Sequence, residues 1–459
     1  RGAYRSGRGA TMPEAMRTSR HSPHRLRHGS AASGPIRSPP DMVPLVIANA
    51  RLVTLDPPNA PPGPRRGPHL ADLGVVGRGW IEIADGKIRR LGEGDPPADA
   101  TGRRIDVGGR AVLPCLVDCH THACAAGDRF DEFAMRLAGR SYLEILAAGG
   151  GIMSTVRAVR GATPEVLRAE LRRRLLEMRR LGTGAVEVKS GYGLDTPTEL
   201  AMLAAIEAVA VEDPLPIVPT FLAHAIDPDV PGFVDRTLAE TLPAVAEAHP
   251  GIACDAYCEE GAWSLADSIR LFERAAELGM PMRVHLYQFN PLGLLPWAIE
   301  HGARTVDHLE ASRPKDLDRL AASDTIAVLL PASGFSLDER YADARRLVDA
   351  GGAIAIASNA NPGSAPGPSL AFAIALACRK LRLGAEEAIA AATVNAAHAL
   401  GLEDRCGRLR PGLRADLQIL ASDDERALGY EFAGPGPAAV VWGGRWHDLM
   451  PRPDAGGTV

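Results

Sequence analysis

The chain has 459 residues, of which 46% are hydrophobic and 23% charged, and this composition is ordinary for a folded globular protein. A formal net charge of −5 and an aromatic content of only 5% argue against a nucleic-acid partner. Apolar runs such as residues 354–357 are far shorter than the roughly 20 residues that a membrane helix needs, so a membrane protein is also excluded.

Residues 1–41 have a composition of their own. They carry eight arginines, Glu14 is almost their only acid, and no apolar periodicity runs through them. Such a segment cannot bury a core, so we expect it to be disordered. Two interpretations stay open: an organelle transit peptide, or a start assigned too early, with Met42 as the natural first residue. The second is favoured because strand patterns begin directly after Met42, and the lack of a long apolar stretch excludes a secretory signal.

Short strands are predicted at both ends of the chain. The pattern gives strands at 45–47, 51–55, 80–83, 87–91, 110–113, 416–420 and 439–442. Asp85-Gly86, between the third and fourth of these, is a hairpin signal. A segment rich in proline, glycine and arginine at 60–73 is predicted to be a loop. We therefore expect residues 42–112 and 406–459 to form one small composite β-sandwich domain.

Strands alternate with helices between the two ends. The predicted strands lie at 113–117, 185–188, 217–222, 253–257, 282–286, 305–307, 326–330 and 354–357. The clearest helix is predicted at 164–181, with Thr163 as its N-cap and Pro164 in its first turn. Its apolar face comprises Val166, Leu167, Leu171, Leu175 and Met178. Eight such alternations fit an α/β fold of the (β/α)8 barrel type, which we assign to residues 113–405.

Histidines recur where these barrel strands end. His120 and His122 are two residues apart, so in a strand both project to one face and can bind one metal ion. His224, His285 and His308 follow three other strands. Active sites form at the carboxyl ends of barrel strands, so we expect all five to meet there. With His120, His122 and His285 as neutral ligands, a bound metal could activate water for hydrolysis.

Seven cysteines, an odd number, argue against a disulfide framework and favour a reducing, cytoplasmic compartment. Cys119 and Cys124 flank the His120 pair and could act as thiolate ligands or as small buried hydrophobes. Because neighbours in a strand point to opposite faces, Cys119 cannot share a metal with His120 without a bend, and the hydrophobic interpretation is favoured.

Several longer stretches carry a more specific pattern. They read PCLVDCHTH at 114–122, EFAMRLAG at 132–139, AGGGI at 148–152, KSGYGL at 189–194, TFL at 220–222, DHLE at 307–310 and NPGS at 361–364. Together they resemble imidazolonepropionase, a family of the amidohydrolase superfamily, over about residues 45–446. The SGYGL and NPGS segments are typical of this family rather than of amidohydrolases in general.

The resemblance implies a function and a site. The family opens 4-imidazolone-5-propanoate with water to N-formimidoyl-L-glutamate in histidine degradation, using one divalent metal ion, Zn or Fe. It implies a cytoplasmic homodimer that acts on a small molecule. The implied metal ligands are His120, His122 and His285, with Asn359 at a fourth position. The implied substrate contacts are Arg129, Tyr192, His224, Asn361, Gly363 and Ser364. His308 and Gln288 would be the catalytic residues, with His308 stabilising the oxyanion or positioning the water.

The chain departs from the family at two positions. Asn359 stands where the family has a metal-binding aspartate, and Gln288 stands where it has an acid; neither amide can take a proton. Three interpretations stay open: a working imidazolonepropionase in which His308 or another group is the base, a relative that opens another cyclic amide or imine, or an inactive paralogue that binds ligand or metal. The intact Arg129, Tyr192 and NPGS segment favour the first.

Overall fold

The computed structural model describes residues 43–140, 144–145, 148–432, 434 and 436–450. The leader predicted over residues 1–41 lies outside them. The strands in the described part are β1 Leu45–Val53, β2 Val75–Ala84, β3 Lys87–Glu93, β4 Arg103–Asp106, β5 Ala111–Pro114, β6 Leu116–Asp118, β7 Thr183–Lys189, β8 Ile217–Ala223, β9 Ala253–Cys258, β10 Arg283–Leu286, β11 Thr305–His308, β12 Ile326–Leu329, β13 Ile354–Ile356, β14 Leu417–Ile419, β15 Ala439–Trp442 and β16 Arg445–Asp448.

Helices fill the connections between the barrel strands. The α-helices are Phe130–Leu137, Ile152–Arg160, Pro164–Arg180, Thr196–Glu212, Phe233–Arg236, Leu242–Ala248, Leu265–Glu277, Leu294–Glu300, Pro314–Ala321, Pro331–Ser336, Ala344–Asp349, Leu370–Lys380, Ala385–Ala390, Ala396–Leu400 and Ala427–Tyr430. A 3₁₀ turn spans Gly67–Ala71, inside the segment predicted to be a loop. Wider π-turns at Thr237–Thr241 and Ala391–Asn395 each join two α-helical segments into one continuous helix. No helix in the described residues has the length and apolar character to span a bilayer.

One eight-stranded sheet gathers strands from both ends of the chain. Its order is β16-β15-β14-β5-β1-β2-β3, and β4 pairs with β1 beside this path. The predicted hairpin joins β2 and β3 through Asp85 and Gly86, whose φ angles of 52° and 73° suit a tight hairpin turn. The two strands predicted at 45–47 and 51–55 are one strand, β1, whose pairing register shifts between Ile47 and Ala50.

The second sheet is the barrel, in which eight parallel strands follow the order β6 to β13. Its first and last strands meet just beyond their ends, where Thr121 and Ala360 form a parallel bridge. His122 N donates to Ala360 O at 2.9 Å, and Asn359 N donates to His120 O at 3.2 Å. The predicted fold class, a (β/α)8 barrel with a further β unit from both ends, is thereby confirmed.

The strand predicted at 113–117 is wrong in one respect, because the chain changes sheets within it. β5 ends at Pro114 in the terminal sheet, and β6 begins at Leu116 in the barrel. Cys115 N donates to Asp416 O, whereas Leu116 N donates to Gly182 O. A single apolar run therefore serves two sheets. The short strands β4 and β16 were not predicted because their composition, with charged residues at both ends, gives no apolar alternation.

The helix predicted at 164–181 spans Pro164–Arg180, and the Thr163 side chain accepts a hydrogen bond from Val166 N. Leu167, Leu171, Leu175 and Met178 are buried as predicted. Val166 is 45% exposed, so its assignment to the apolar face is wrong. It precedes the buried Leu167 by one residue, and successive side chains of an α-helix point about 100° apart, so Val166 faces away from the buried stripe.

Candidate active site at the rim of the barrel

All five predicted histidines meet at one end of the barrel. The ring centroids of His120 and His285 are 4.4 Å apart, and those of His285 and His308 are 5.6 Å apart. His122 stacks on His224 with a centroid distance of 5.0 Å. His224 is partly exposed and the other four are buried. The structure therefore brings this predicted set together in one cluster.

Two buried carboxylates fix the tautomers of two of these rings. His120 Nδ1 lies 2.6 Å from Asp307 Oδ2, and His285 Nδ1 lies 2.9 Å from Asp255 Oδ1. A carboxylate at Nδ1 keeps the proton there, which leaves Nε2 with a free lone pair. Burial lowers the pKa of both imidazoles, so the rings stay neutral. His120 Nε2 is buried and has no hydrogen-bond partner among the described residues.

The spacing of the ring nitrogens suits a metal ion. His122 Nε2 lies 3.4 Å from His285 Nε2. Two imidazole nitrogens that bind one ion tetrahedrally at 2.0–2.1 Å are about 3.4 Å apart. Nitrogens of His120, His285 and His308 also lie within 4.8 Å of one another, which makes them a second possible ligand set. The donor set therefore fits a divalent transition metal.

Asn359 follows β13 and holds an amide oxygen at this site. Its φ of 55° is left-handed, and its backbone N–H is bound to His120 O. Asn359 Oδ1 is buried, and the described part of the chain offers it no hydrogen-bond donor. An amide oxygen in this state can bind a cation as a neutral ligand, but it supplies neither charge nor basicity.

A buried network of charges lies under the histidines. Lys189 Nζ is 2.7 Å from both Asp255 Oδ2 and Glu187 Oε2, and Arg283 pairs with Glu187 from β10. Although burial acts against it, His285 and Lys189 hold the pKa of Asp255 well below its usual range. Because buried charges are costly unless paired, this network fixes Asp255, and Asp255 fixes His285.

Another carboxylate lies at the barrel seam, the place where the first strand, β6, and the last strand, β13, meet. Asp118, at the end of β6, accepts hydrogen bonds from Ser358 N at 3.0 Å and Ser358 Oγ at 2.5 Å. Burial raises the pKa of Asp118 to about 6. Its two bonds tie the segment that carries His120 to the segment that carries Asn359.

Arg129 stands at the start of helix Phe130–Leu137. Its Nε donates to Thr155 Oγ1 at 3.0 Å, and its Nη1 donates to Glu132 Oε2 at 2.7 Å. A Cβ built on Gly363 would lie 3.9 Å from Arg129 Nη1. The predicted carboxylate-binding arginine therefore borders the NPGS loop.

Asn361 shapes that loop from within. Its Oδ1 accepts from Gly363 N at 2.8 Å and Ser364 N at 2.7 Å. Its Nδ2 donates to Asn359 O at 2.6 Å and Ser364 Oγ at 2.9 Å. An amide has two donor hydrogens and two acceptor lone pairs, so these four bonds use all of them. Asn361 thus holds Gly363 and Ser364 in place.

Tyr192 lies beside His224, with ring centroids 5.2 Å apart. Burial raises the pKa of Tyr192 well above its usual value, so it remains a neutral phenol. The loop that carries it is shaped by Glu199, whose carboxylate accepts from Gly191 N at 2.8 Å and Gly193 N at 2.7 Å. Sequence reasoning missed this role of Glu199.

Gln288 lies two residues after the end of β10. Its Oε1 accepts from Tyr257 Oη at 2.9 Å, and its Nε2 donates to Ser333 Oγ at 3.2 Å. Glu259 accepts from Phe289 N and so fixes the backbone beside it. Gln288 is therefore fixed by two hydrogen bonds, and because its side chain is an amide it cannot accept a proton.

His308 has a carboxylate partner of its own. Its Nδ1 lies 3.1 Å from Glu310 Oε1, and both side chains are buried. His308 and Leu309 have φ angles of 85° and 75°, a left-handed conformation that costs free energy in non-glycine residues. This turn folds Glu310 back onto His308.

Comparison with known proteins gives the family. Residues 111–446 match the amidohydrolase family. The imidazolonepropionase of Herpetosiphon aurantiacus is 45% identical over 411 residues, which cover 86% of this chain and 95% of that protein. The imidazolonepropionase of Chloroflexus aggregans is 44% identical over 418 residues, covering 86% and 96%.

The chain belongs to the imidazolonepropionase family. The resemblance drawn from the sequence motifs is thus confirmed, and with it a hydrolase of the metal-dependent amidohydrolase superfamily. Among solved structures, the chain is similar to a 5-methylcytosine deaminase from Klebsiella pneumoniae liganded with 5-fluorocytosine, at a TM-score of 0.67 and 19% identity, over 90% of this chain and 99% of that one. A triazine hydrolase variant gives a TM-score of 0.67 at 18% identity, over 89% and 96%. At such identities the similarity shows the fold alone.

Carboxylates are the site residues that sequence reasoning missed. They are Asp118, Glu132, Glu199, Asp255, Asp307 and Glu310. Each accepts hydrogen bonds from, or pairs with, a histidine, an arginine or the backbone of a loop. Their signal in the sequence is weak, because an acid in an apolar strand or a loop does not reveal its partner.

Proposed function

We propose that the chain hydrolyses 4-imidazolone-5-propanoate to N-formimidoyl-L-glutamate, acting as a cytoplasmic homodimer with one Zn or Fe ion. The observation that carries this proposal is the position of Arg129 and the NPGS loop beside the histidine cluster. The substrate has a propanoate carboxylate at one end and a cyclic amide at the other. The Arg129 guanidinium, next to the NPGS loop, matches the carboxylate, and the neutral imidazoles match the cyclic amide.

The residues suited to hold the metal are His120, His122 and His285, with Asn359 Oδ1 as a fourth donor. When bound there, the ion supplies a Lewis acid for the ring carbonyl and an acidified water. Imidazole ligands suit both Zn and Fe, so the chain's own donors do not select between them.

The protein positions the substrate through its carboxylate. Arg129 is held by Thr155 and Glu132, so its planar fork is fixed before the substrate arrives. Tyr192 and His224 contact the ring. Fixing both ends of the substrate sets the carbonyl carbon against the histidines, which lowers the entropic part of the barrier.

Ring opening needs a proton to move. Water adds to the carbonyl carbon, the carbon–nitrogen bond breaks, and the nitrogen must gain a proton. Since Gln288 and Asn359 cannot accept one, we assign this task to His308 Nε2. Glu310 holds the Nδ1 proton of His308, which fixes the tautomer and stabilises the cation that forms. His308 then returns the proton to the leaving nitrogen.

A second candidate function is ligand binding without turnover. It is favoured by one observation, the amides Asn359 and Gln288 at positions where the family has acids. Loss of a general base alone reduces rates by roughly 10²–10⁴. The two candidates differ in whether His308 with Glu310 replaces the missing acid.

The deciding experiment follows the ultraviolet absorbance of freshly generated 4-imidazolone-5-propanoate with the purified, metal-analysed protein. Turnover by the natural sequence establishes the proposed activity. Turnover only by an Asn359→Asp or Gln288→Glu variant means a disabled enzyme whose pocket still fits the substrate. A lack of turnover in all three, with metal bound, contradicts the proposal.

A further inference from the structure

The motif segments EFAMRLAG and AGGGI meet at one carboxylate, for which the mechanism above uses only the contact with Arg129. This is Glu132, in the first turn of helix Phe130–Leu137. Its Oε2 accepts from Arg129 Nη1 at 2.7 Å and from Gly151 N at 2.9 Å. Its Oε1 lies 3.4 Å from Arg136 Nη2. The Glu132 side chain is only 14% exposed, so these contacts are largely shielded from water.

Glu132, Gly151 and Thr155 form a closed set of contacts with Arg129, which we call the bracket. Gly151 directly precedes helix Ile152–Arg160, and this helix carries Thr155. Thr155 Oγ1 accepts a hydrogen bond from Arg129 Nε, so the set of contacts begins and ends at Arg129. Arg129 is therefore held by Glu132 from its own helix and by Thr155 from the next one, and Glu132 also fixes the residue from which that second helix begins.

Among the described residues, the Arg129 guanidinium makes no hydrogen bonds beyond these two, so the rest of it is available to a ligand. Arginine has five N–H groups, and these two contacts use one on Nε and one on Nη1. The remaining three lie on Nη1 and Nη2, and Nη1 faces the space beside Gly363. Arg136 Nη2 meanwhile lies 3.4 Å from Gly363 O, so Glu132 touches both arginines that border the NPGS loop.

We propose that Glu132 is the positioning residue that aims Arg129 at the substrate carboxylate and so sets selectivity for substrates with a propanoate chain. This inference rests on the proposed function for the identity of that carboxylate. A guanidinium free to swing could follow side chains of other lengths. One held on two sides recognises a carboxylate at a single distance from the ring.

The test measures binding, so that it does not depend on turnover. Imidazole-4-propanoate is a stable probe with the same side chain, and its carboxamide lacks the charge. Calorimetry is done on the metal-loaded protein with Glu132→Gln, and with Asp131→Asn as a matched control. Asp131 is the exposed neighbour in the same helical turn, so its variant loses the same charge without touching Arg129.

We expect Glu132→Gln to weaken binding of the acid about ten- to hundredfold, while the carboxamide and the Asp131→Asn protein change little. In turnover assays, KM should rise while kcat changes little. Equal weakening of acid and carboxamide, no weakening at all, or a natural protein that does not discriminate the acid from its carboxamide overturns the inference.

A second variant covers a failure of Glu132→Gln to fold. Thr155→Val removes the other contact of the bracket with little change in shape, and it should shift acid binding in the same direction. If Thr155→Val is folded and binds the acid normally, the bracket is not what positions Arg129. Acid binding with no turnover would contradict the proposed function and leave this inference supported.

Discussion

His308 Nδ1 lies 3.1 Å from Glu310 Oε1, and a single residue separates the two in the sequence. Neighbours two apart at a strand end would normally point the same way along an extended chain. Here two successive left-handed residues, His308 and Leu309, fold the chain back on itself. A conformation of this kind is kept only where the surrounding structure enforces it, and the resulting pair supports the proton transfer that we propose for His308.

Replacing His308 should abolish most of the activity. We expect His308→Ala to lower kcat by roughly 10²–10⁴, because it removes the assigned proton carrier. Metal content by plasma emission should be unchanged, because the proposed ligands are His120, His122, His285 and Asn359. His301→Ala, which removes an exposed histidine, serves as the control. An unchanged rate in His308→Ala would rule out the assigned role.

Glu310→Gln should have a smaller effect. The amide cannot stabilise a cationic His308, so we expect kcat to fall about 10–100-fold with little change in KM. The check is a pH–rate profile beside that of Glu300→Gln, an exposed acid on helix Leu294–Glu300. If the profile of Glu310→Gln overlays that of the natural protein, Glu310 plays no part in the proton transfer.

Asn359→Asp should strengthen metal retention. Its oxygen already lacks a hydrogen-bond donor among the described residues, and a carboxylate there adds a negative charge to the ligand set. We expect the metal to leave about tenfold more slowly in competition with a chelator. Asn59→Asp makes the same change at an exposed site. Equal rates for the two variants would show that residue 359 is not a ligand.

The raised pKa of Asp118 predicts that the stability of the fold changes with pH. Its pKa is raised by burial from 3.8 to about 6, so between these values the folded state binds a proton that the unfolded state has lost. Stability from this group is therefore present below about pH 4 and lost as pH rises through about 6. In metal-free protein, the urea midpoint of the natural chain should fall relative to that of Asp118→Asn over this range. Parallel curves would contradict the shift.

Much of the fold could be predicted from local sequence patterns. Apolar strands, Asp85-Gly86 and Thr163-Pro164 each encode their structure within a few residues, and the histidines follow from strand ends. The rest depends on contacts between distant segments. The change of sheet at Cys115 is invisible in a continuous apolar run, and Val166 fits the helical stripe in sequence but not in packing.

The candidate site also contains residues that the sequence predicts and residues that it does not. Residues with a distinctive chemistry, such as His120 and Arg129, can be placed from the sequence. Their partners cannot, because Asp307 lies 187 positions from His120 and its role depends on the closed barrel. All seven cysteines are free thiols. Burial raises the pKa of Cys124 to about 12 and holds that of Cys119 well above its usual value, so the hydrophobic interpretation is supported for both.

The barrel seam has a consequence for the order of events during synthesis. Asp118 and Ser358 are 240 positions apart, and the segments that carry His120 and Asn359 meet at this seam. A ribosome releases the first barrel strand long before the last, so the nascent chain holds its histidine pair for most of translation without the partners that complete the site. We therefore expect metal binding at the proposed ligand set to be a late event, and an incomplete chain should not carry a competent centre.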